Sequence, residues 1–225
     1  MCPTIPGMRI LQIGAGGVGS SAALIAARRD FFEHYLIADY DGARASDLVA
    51  RIGDARFTGI GLDASSEEAV AEACRANGIT HVLNVVDPRF VMPIFNGAFA
   101  AGAGYLDTAM SLSHRHPEKP YELAHVKLGD DQFAKAAEWE AAGQLALVGI
   151  GVEPGLADVF ARYAADHLFS EIDEMGVRDA SNLVVEGYDF APSFSIWTVI
   201  EECLNPPVIW EKDRGWFTTE PFSEP

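Results

Sequence analysis

Met8-Arg9-Ile10-Leu11-Gln12-Ile13-Gly14-Ala15-Gly16-Gly17-Val18-Gly19 is the stretch whose reading decides the fold. An apolar run stops abruptly in glycines spaced G-x-G-x-x-G, and an alanine-rich run at helical spacing follows. Glycines meet that spacing by chance often enough that the flanking segments must carry the weight. Ile10, Leu11 and Ile13 read as a short buried strand, and Val18, Ala22 and Ile25 lay one apolar stripe along the helix after it. Between such a strand and helix each glycine has its own task. Gly14 permits the tight turn, Gly16 lets the backbone approach a pyrophosphate, and Gly19 lets the helix pack close to the strand. With Gly17 and Val18 these residues form the helix N-terminus, whose free N–H groups and positive dipole end face the phosphates. A dinucleotide-binding turn also requires an acid about 20 residues further on, at the end of the next strand. Asp39, closing Tyr35-Leu36-Ile37-Ala38-Asp39, meets that requirement. A glycine-rich turn that binds nothing would have no reason to satisfy both conditions.

The alternation of strand and helix continues along the chain. Gly42 to Arg51 reads as a helix and Phe57 to Asp63 as a strand. Ser65-Ser66-Glu67-Glu68 is an S-x-x-E capping box, opening a helix that Gly78 stops. His81 to Val86 is a fourth strand, followed by Asp87-Pro88 and by a helix, Ile94 to Ala101, with Pro93 in its first turn. Tyr105-Leu106-Asp107-Thr108 is a short fifth strand. An irregular stretch, Ser111 to Gly129, carries His114-Arg115-His116, and a helix capped by Asp130 or Asp131 then runs to Ala142. Leu145 to Ile150 is a sixth strand that breaks at Gly151, before a helix with Leu156, Val159, Phe160 and Tyr163 on one face. The strands are near-continuous apolar runs, as in a parallel sheet covered on both faces. The expected fold class is α/β, a doubly wound parallel (Rossmann-type) sheet occupying residues 1–168. From Glu171 the texture changes. Ile172, Val177, Leu183, Val184, Val185 and Tyr188 read as interrupted strands, Ser193 to Leu204 as a helix, and Val208 to Thr219 as a hairpin with Gly215 in its turn. Residues 169–225 therefore read as the start of an α+β second domain for substrate or dimerisation, with a core thin enough to suggest truncation.

Composition narrows the function classes. The chain has 225 residues, room for one large domain or one and part of another. With 49% of them apolar, a substantial core is expected and disorder is not. No apolar run approaches the roughly 18 residues of a membrane span. Met1 to Pro6 lacks the basic region of a secretory signal. A net charge of −17, with acids spread along the chain, makes nucleic acid or an anionic membrane an unsuitable partner. Cys2, Cys74 and Cys203 lie far apart, which suits a reducing cytoplasm and not a disulfide framework. No His, Cys and carboxylate group has metal-ligand spacing, so no metal is expected.

In an open parallel sheet the ligand lies beyond the carboxyl ends of the strands, where strand order reverses. The residues at those ends include Gly14 to Gly19, Asp39, Asp63, Val85, Val86, Pro88, Asp107 and Glu153. Asp39 is placed to accept hydrogen bonds from the adenosine ribose hydroxyls, which favours NAD; Arg44, just past that strand, suits a 2′-phosphate and keeps NADP open. Asp63 is equally a partner for the adenine amino group or a lead into the Ser65 cap. Val85, Val86 and Pro88 read as the loop against the nicotinamide ribose. Asp107, His114, His116 and Glu153 are the acid–base candidates. Each has a plain structural alternative: a strand-end cap, solvated loop histidines, and an acid favoured by a helix dipole. Reach to a transferred proton is not written in a sequence, so no base is assigned among them.

With these pieces placed, the chain resembles the saccharopine dehydrogenase-like family, which includes saccharopine reductases, lysine dehydrogenases and carboxynorspermidine dehydrogenases. The resemblance lies in Ile13 to Gly19, Val82 to Val86 and Gly104 to Thr108. Most specific is Gly149-Ile150-Gly151-Val152-Glu153-Pro154-Gly155-Leu156, which looks like that family's G-x-G-x-[DE]-P-G-x turn. It implies a nicotinamide enzyme, using NAD or NADP, that transfers hydride to or from the carbon of an imine or secondary amine in an amino-acid substrate. It also implies a longer, homodimeric protein whose chain returns from a second domain to the nucleotide domain, a return these residues do not contain. Arg178 and Arg214 suit a substrate carboxylate held bidentately, though a surface arginine is the plainer reading of each. A dinucleotide-binding sensor or scaffold without turnover is the alternative from another class, because a fold does not fix a function.

Overall fold

β1 (Arg9–Ile13) lies inside a six-stranded sheet, between β2 (His34–Asp39) and β4 (His81–Asn84). The computed structural model describes residues 7–177, 184–189, 191 and 196–223. With β3 (Phe57–Gly61), β5 (Gly104–Asp107) and β6 (Ala146–Leu147), the order is β3-β2-β1-β4-β5-β6 and every pair is parallel. Parallel neighbours need crossovers. α1 (Gly17–Ala26), α2 (Gly42–Ile52), α3 (Glu67–Ala76) and α4 (Val91–Ala100) supply the first four, and the sequence reversal falls between β1 and β4. One face of the sheet packs Leu11, Ile13, Val82 and Tyr105 with Val70, Ile94, Phe95 and Trp139. The other packs Ile10, Tyr35 and Ile37 with Ala23, Ala45, Leu48 and Phe57. Both faces are covered, which is why the strand sequences are apolar without alternation. This is the doubly wound α/β architecture the glycine spacing implied.

Several local expectations are corrected. α1 buries Gly19, Ala23 and Ala26, while Val18 and Ile25 are more than half exposed. The helix lies so close to the loop that a Cβ on Gly19 would collide with the Gly14 carbonyl oxygen. Only small residues fit that face, so the larger stripe turns outward. The helix ends at Ala26. α3 is capped by Ser66, whose hydroxyl accepts from Ala69 N at 3.1 Å; Ser65 instead donates to Asp63 Oδ1 at 2.6 Å, so the cap sits one residue later than the S-x-x-E pattern placed it. The helix expected from Asp130 to Ala142 is two short ones, α5 (Asp130–Phe133) and α6 (Ala136–Ala141). Gly129, in the left-handed region, precedes α5; the Asp130 carboxylate accepts from Lys127 N and Nζ, both at 2.8 Å, and is not the cap. β3 stops at Gly61 and β4 at Asn84, and β6 keeps two residues of the six expected.

After α7 (Leu156–His167) the described residues contain α8 (Ile196–Leu204) and an antiparallel hairpin, β7 (Val208–Glu211) with β8 (Gly215–Thr218). Gly215, with φ +78°, lets the turn close. Of the interrupted strands expected around Ile172 to Tyr188, the described residues form one bridge, Val185 with Tyr188. Leu183, Arg178 and Ser193 lie outside the described residues. β8 is fastened to the long loop after β5. Leu123 pairs with Phe217, Thr218 Oγ1 donates to Pro120 O at 3.0 Å, and Arg115 donates to Leu204 O at 2.7 Å and Asn205 Oδ1 at 3.1 Å.

α3 and α4 meet at Gly97, where a Cβ would lie 2.8 Å from Glu67 O and from the Val70 side chain. Gly97→Ala should therefore force these helices apart and lower stability by about 1–3 kcal/mol. Urea unfolding would show it as a lower midpoint with an unchanged slope.

Candidate functional site

Gly14 leaves β1 with φ +113°, a left-handed conformation that glycine alone adopts without strain. A Cβ there would stand 2.8 Å from Val86 Cγ1 and 2.9 Å from Val85 O, so the loops after β1 and β4 touch at the reversal of strand order. This brings Gly14, Val85 and Val86 together, as the sequence implied. Gly16 and Gly17 have open space around them. No side chain caps α1, and no acid stands in its first turn. The N–H groups of that turn thus have no side-chain cap and no acid of the turn itself to meet, a donor set that fits a diphosphate.

Two buried side chains hold the loop in this shape. Gln12, fully buried, donates from Nε2 to Gly14 O at 2.7 Å and to Gly19 O at 3.0 Å, and its Oε1 accepts from the Tyr35 hydroxyl at 2.8 Å. It joins the two ends of the glycine loop to each other and to β2. Sequence reading missed it, although a polar residue in the middle of a buried strand was the signal. Burial pushes the Tyr35 hydroxyl well above its usual pKa, so it stays a donor. Asp39 is the second. Its Oδ2 accepts from Ala15 N at 2.8 Å and its Oδ1 from Asp41 N at 3.0 Å, with Arg44 Nη1 at 3.5 Å from Oδ1. Arg44 is mostly exposed, and with Ala15, Ser20 and Arg51 it lines an open groove of about 470 Å³ beside the loop.

The other site residues are less uniform. Asp63 accepts from the Ser65 backbone and hydroxyl, which hold its carboxyl below the usual range. Pro88 begins a short 3-10 turn capped by Asp87. Partial burial pushes the Asp87 carboxyl up, but hydrogen bonds from Arg89 outweigh it and leave it low. Arg89 meets both Asp87 oxygens, at 2.9 and 3.1 Å, and is a cation at this edge that the sequence did not single out. Asp107 is fully buried, and both oxygens are occupied by Gly149 N, the Tyr105 hydroxyl and Gln132 Nε2. Burial raises its pKa against those three hydrogen bonds. It is a buried fastening point and not an exposed acid.

His114 is exposed and pairs through its backbone with Val126. His116 accepts at Nδ1 from Lys119 N at 3.1 Å and Glu118 N at 3.3 Å, a local turn. Glu153 is exposed in the turn between Gly151 and Gly155, whose backbones form a bridge. Arg214 stacks 3.3 Å from the Phe217 ring centroid with Nη1 4.0 Å from Glu211 Oε2, and Arg178 lies outside the described residues.

The family profile described as the saccharopine dehydrogenase NADP binding domain matches residues 10–147, the whole span from β1 to β6. The chain belongs to the saccharopine dehydrogenase family. Among curated relatives, the carboxyaminopropylagmatine dehydrogenase of Synechocystis sp. is 29% identical over 215 residues, covering 96% of this chain and 52% of that protein. The carboxynorspermidine synthase of Vibrio cholerae is 31% identical over 217 residues, covering 91% of this chain and 50% of that one. The chain thus spans about half the length of the curated relatives it matches. The apo saccharopine dehydrogenase (L-Glu forming) of Saccharomyces cerevisiae shares the fold, with a TM-score of 0.55 at 19% identity over 72% of this chain and 31% of that one.

Gln12→Leu in this saccharopine dehydrogenase family member would leave Gly14 O, Gly19 O and the Tyr35 hydroxyl without their buried partner. Stability should fall by about 1–3 kcal/mol. A loop displaced at a cost of about 1.4 kcal/mol in binding raises the Kd for NADP about tenfold. Calorimetric unfolding and nucleotide titration check the two effects separately.

Proposed function

We propose that this chain is the nucleotide-binding part of an NAD(P)-dependent oxidoreductase acting on the C–N bond, imine or secondary amine, of an amino-acid or polyamine adduct. The observation that carries this reading is the uncapped first turn of α1 lying against the Val85–Val86 loop, within a domain of the saccharopine dehydrogenase family. Gly14, Gly16, Gly17, Val18 and Gly19 hold the diphosphate through main-chain N–H groups. Asp39 and Arg44 face the adenosine ribose, and Val85, Val86 and Pro88 flank the nicotinamide side. The bound dinucleotide supplies or accepts hydride. The named relatives are a carboxyaminopropylagmatine dehydrogenase and a carboxynorspermidine synthase, and a net charge of −17 attracts polyamine-like cations.

The same reading takes residues 1–168 as the nucleotide domain and 169–225 as the beginning of a substrate or dimerisation domain of a homodimer. It places the protein in the cytoplasm, where Cys74 and Cys203 remain free thiols. No helix among the described residues is long and apolar enough to cross a membrane.

Titration of the chain with NADPH and NADH tests the nucleotide reading, and NAD(P)H absorbance of the full-length protein with carboxynorspermidine and saccharopine tests the reaction. Nucleotide binding with turnover supports the proposal. Tight binding without turnover on either substrate favours a sensor, and no binding removes the assignment altogether.

The two residues at the ribose separate the cofactors. Asp39→Asn keeps an acceptor for Ala15 N but removes the charge that repels a 2′-phosphate, so the NAD to NADP affinity ratio should fall. Arg44→Ala should move the ratio the other way by about tenfold, the loss of one charge-assisted hydrogen bond. An unchanged ratio in both variants would take Asp39 and Arg44 out of the site.

A further inference from the structure

Five polar side chains, Asn84, Tyr105, Asp107, Ser111 and Gln132, are buried together beneath the carboxyl ends of β4 and β5. Four of them form one hydrogen-bonded chain. Asn84 Oδ1 accepts from Val86 N at 3.2 Å, and Asn84 Nδ2 donates to the Tyr105 hydroxyl at 2.9 Å. That hydroxyl donates to Asp107 Oδ2 at 2.9 Å, and Gln132 Nε2 donates to the same oxygen at 2.8 Å. Asp107 Oδ1 accepts from Gly149 N at 2.6 Å, its carbonyl accepts from Ile150 N at 2.9 Å, and Gln132 Oε1 accepts from Ser111 N at 2.9 Å. The direction is uniform: every side-chain donor in the chain points towards the Asp107 carboxylate.

The connections matter more than their number. Val86 belongs to the loop after β4, Ser111 to the loop after β5, and Gly149 to the turn after β6. Three loops from three neighbouring strands are thus pinned at their roots to one carboxylate. The Gly149–Gly155 turn is set on the same support, since a Cβ on Gly151 would stand 2.5 Å from Thr108 O, immediately beyond Asp107. Gly149 and Gly155 adopt φ +65° and +131°, so the turn has a fixed backbone form to be positioned. A sheet built for stability alone would place apolar side chains here, because a buried carboxylate and its donors cost desolvation.

We propose that Asp107, with Tyr105 and Gln132, positions the nicotinamide half of the nucleotide site without touching the ligand, by fixing the loops after β4, β5 and β6 relative to one another. This rests on the dinucleotide reading above. In this fold the strands on the β4 side of the reversal serve the second mononucleotide half. Gln12 and Asp39, on the β1–β2 side, serve the first. The two halves therefore have separate supports and should fail separately.

The test compares each dinucleotide with its own adenosine half on the full chain: NADP with 2′,5′-ADP, and NAD with ADP. The variants are Asp107→Asn, which puts an amide where only acceptors fit, and Tyr105→Phe, which keeps the ring packed on Phe95 and removes one donor. Both should weaken the dinucleotide about tenfold, a loss of about 1.4 kcal/mol, while the adenosine fragment binds within twofold of wild type. Amide hydrogen exchange across 149–155 should quicken in parallel. Equal loss of dinucleotide and fragment, or no loss of either, overturns the inference and leaves the cofactor reading standing. A wild-type chain that binds neither ligand overturns the cofactor reading and this inference with it. Should Asp107→Asn fail to fold, Tyr105→Phe decides by the same criteria.

Discussion

The approach of α1 to the end of β1 is the constraint from which the site follows. Gly19 sits against the Gly14 carbonyl so tightly that no side chain fits between them. The helix N-terminus is thereby held at the sheet edge and not a residue's width above it. Two consequences are visible at once. The face of α1 against the sheet must be built of Gly19, Ala23 and Ala26, and the free N–H groups must open towards the crevice where strand order reverses. Gln12 secures the same approach from below, since its amide reaches both Gly14 O and Gly19 O. Dispersion and one buried amide thus do together what glycine permits but does not enforce.

The two sides of the reversal use one device twice. At the end of β2, Asp39 accepts from Ala15 N; at the end of β5, Asp107 accepts from Gly149 N. In each case a strand-end carboxylate takes the second amide of a glycine-containing loop that rises from another strand. Asp39 retains a side towards Arg44 and the open groove, whereas Asp107 is enclosed on all sides. The device can therefore serve both ligand and loop on the first side, and only the loop on the second.

What was legible in the sequence was whatever rests on backbone constraint. Gly14 and Gly19 declare the turn and the close approach because no other residue can supply them. The parallel sheet followed from uninterrupted apolar strands, and the hairpin from Gly215 between two aromatic runs. What failed rested on size or on competition among similar groups. Val18, Ala22 and Ile25 make the more hydrophobic stripe, but hydrophobicity does not measure the gap a helix must fit. Ser65 and Ser66 are equivalent as caps until Asp63 captures the first of them. The short β6 arose similarly, once Asp107 took the Gly149 amide out of the ladder.

The acids at the carboxyl edge show the same limit in its sharpest form. Asp39, Asp63, Asp87 and Asp107 all follow or end apolar strands, and beyond the spacing that marks Asp39 nothing along the chain ranks them. The fold ranks them by what each already accepts. Asp63 is closed into a turn with Ser65, Asp87 is matched by the Arg89 fork, and Asp107 is saturated by a tyrosine, a glutamine and a glycine amide. Burial alone favours the protonated form of Asp107, and its three donors favour the charged form. Burial prevails and raises its pKa, while the three donors tie the carboxyl to β5, α5 and the turn after β6. The buried carboxylate thereby fixes the geometry of the loops that rise from β4, β5 and β6 towards the crevice.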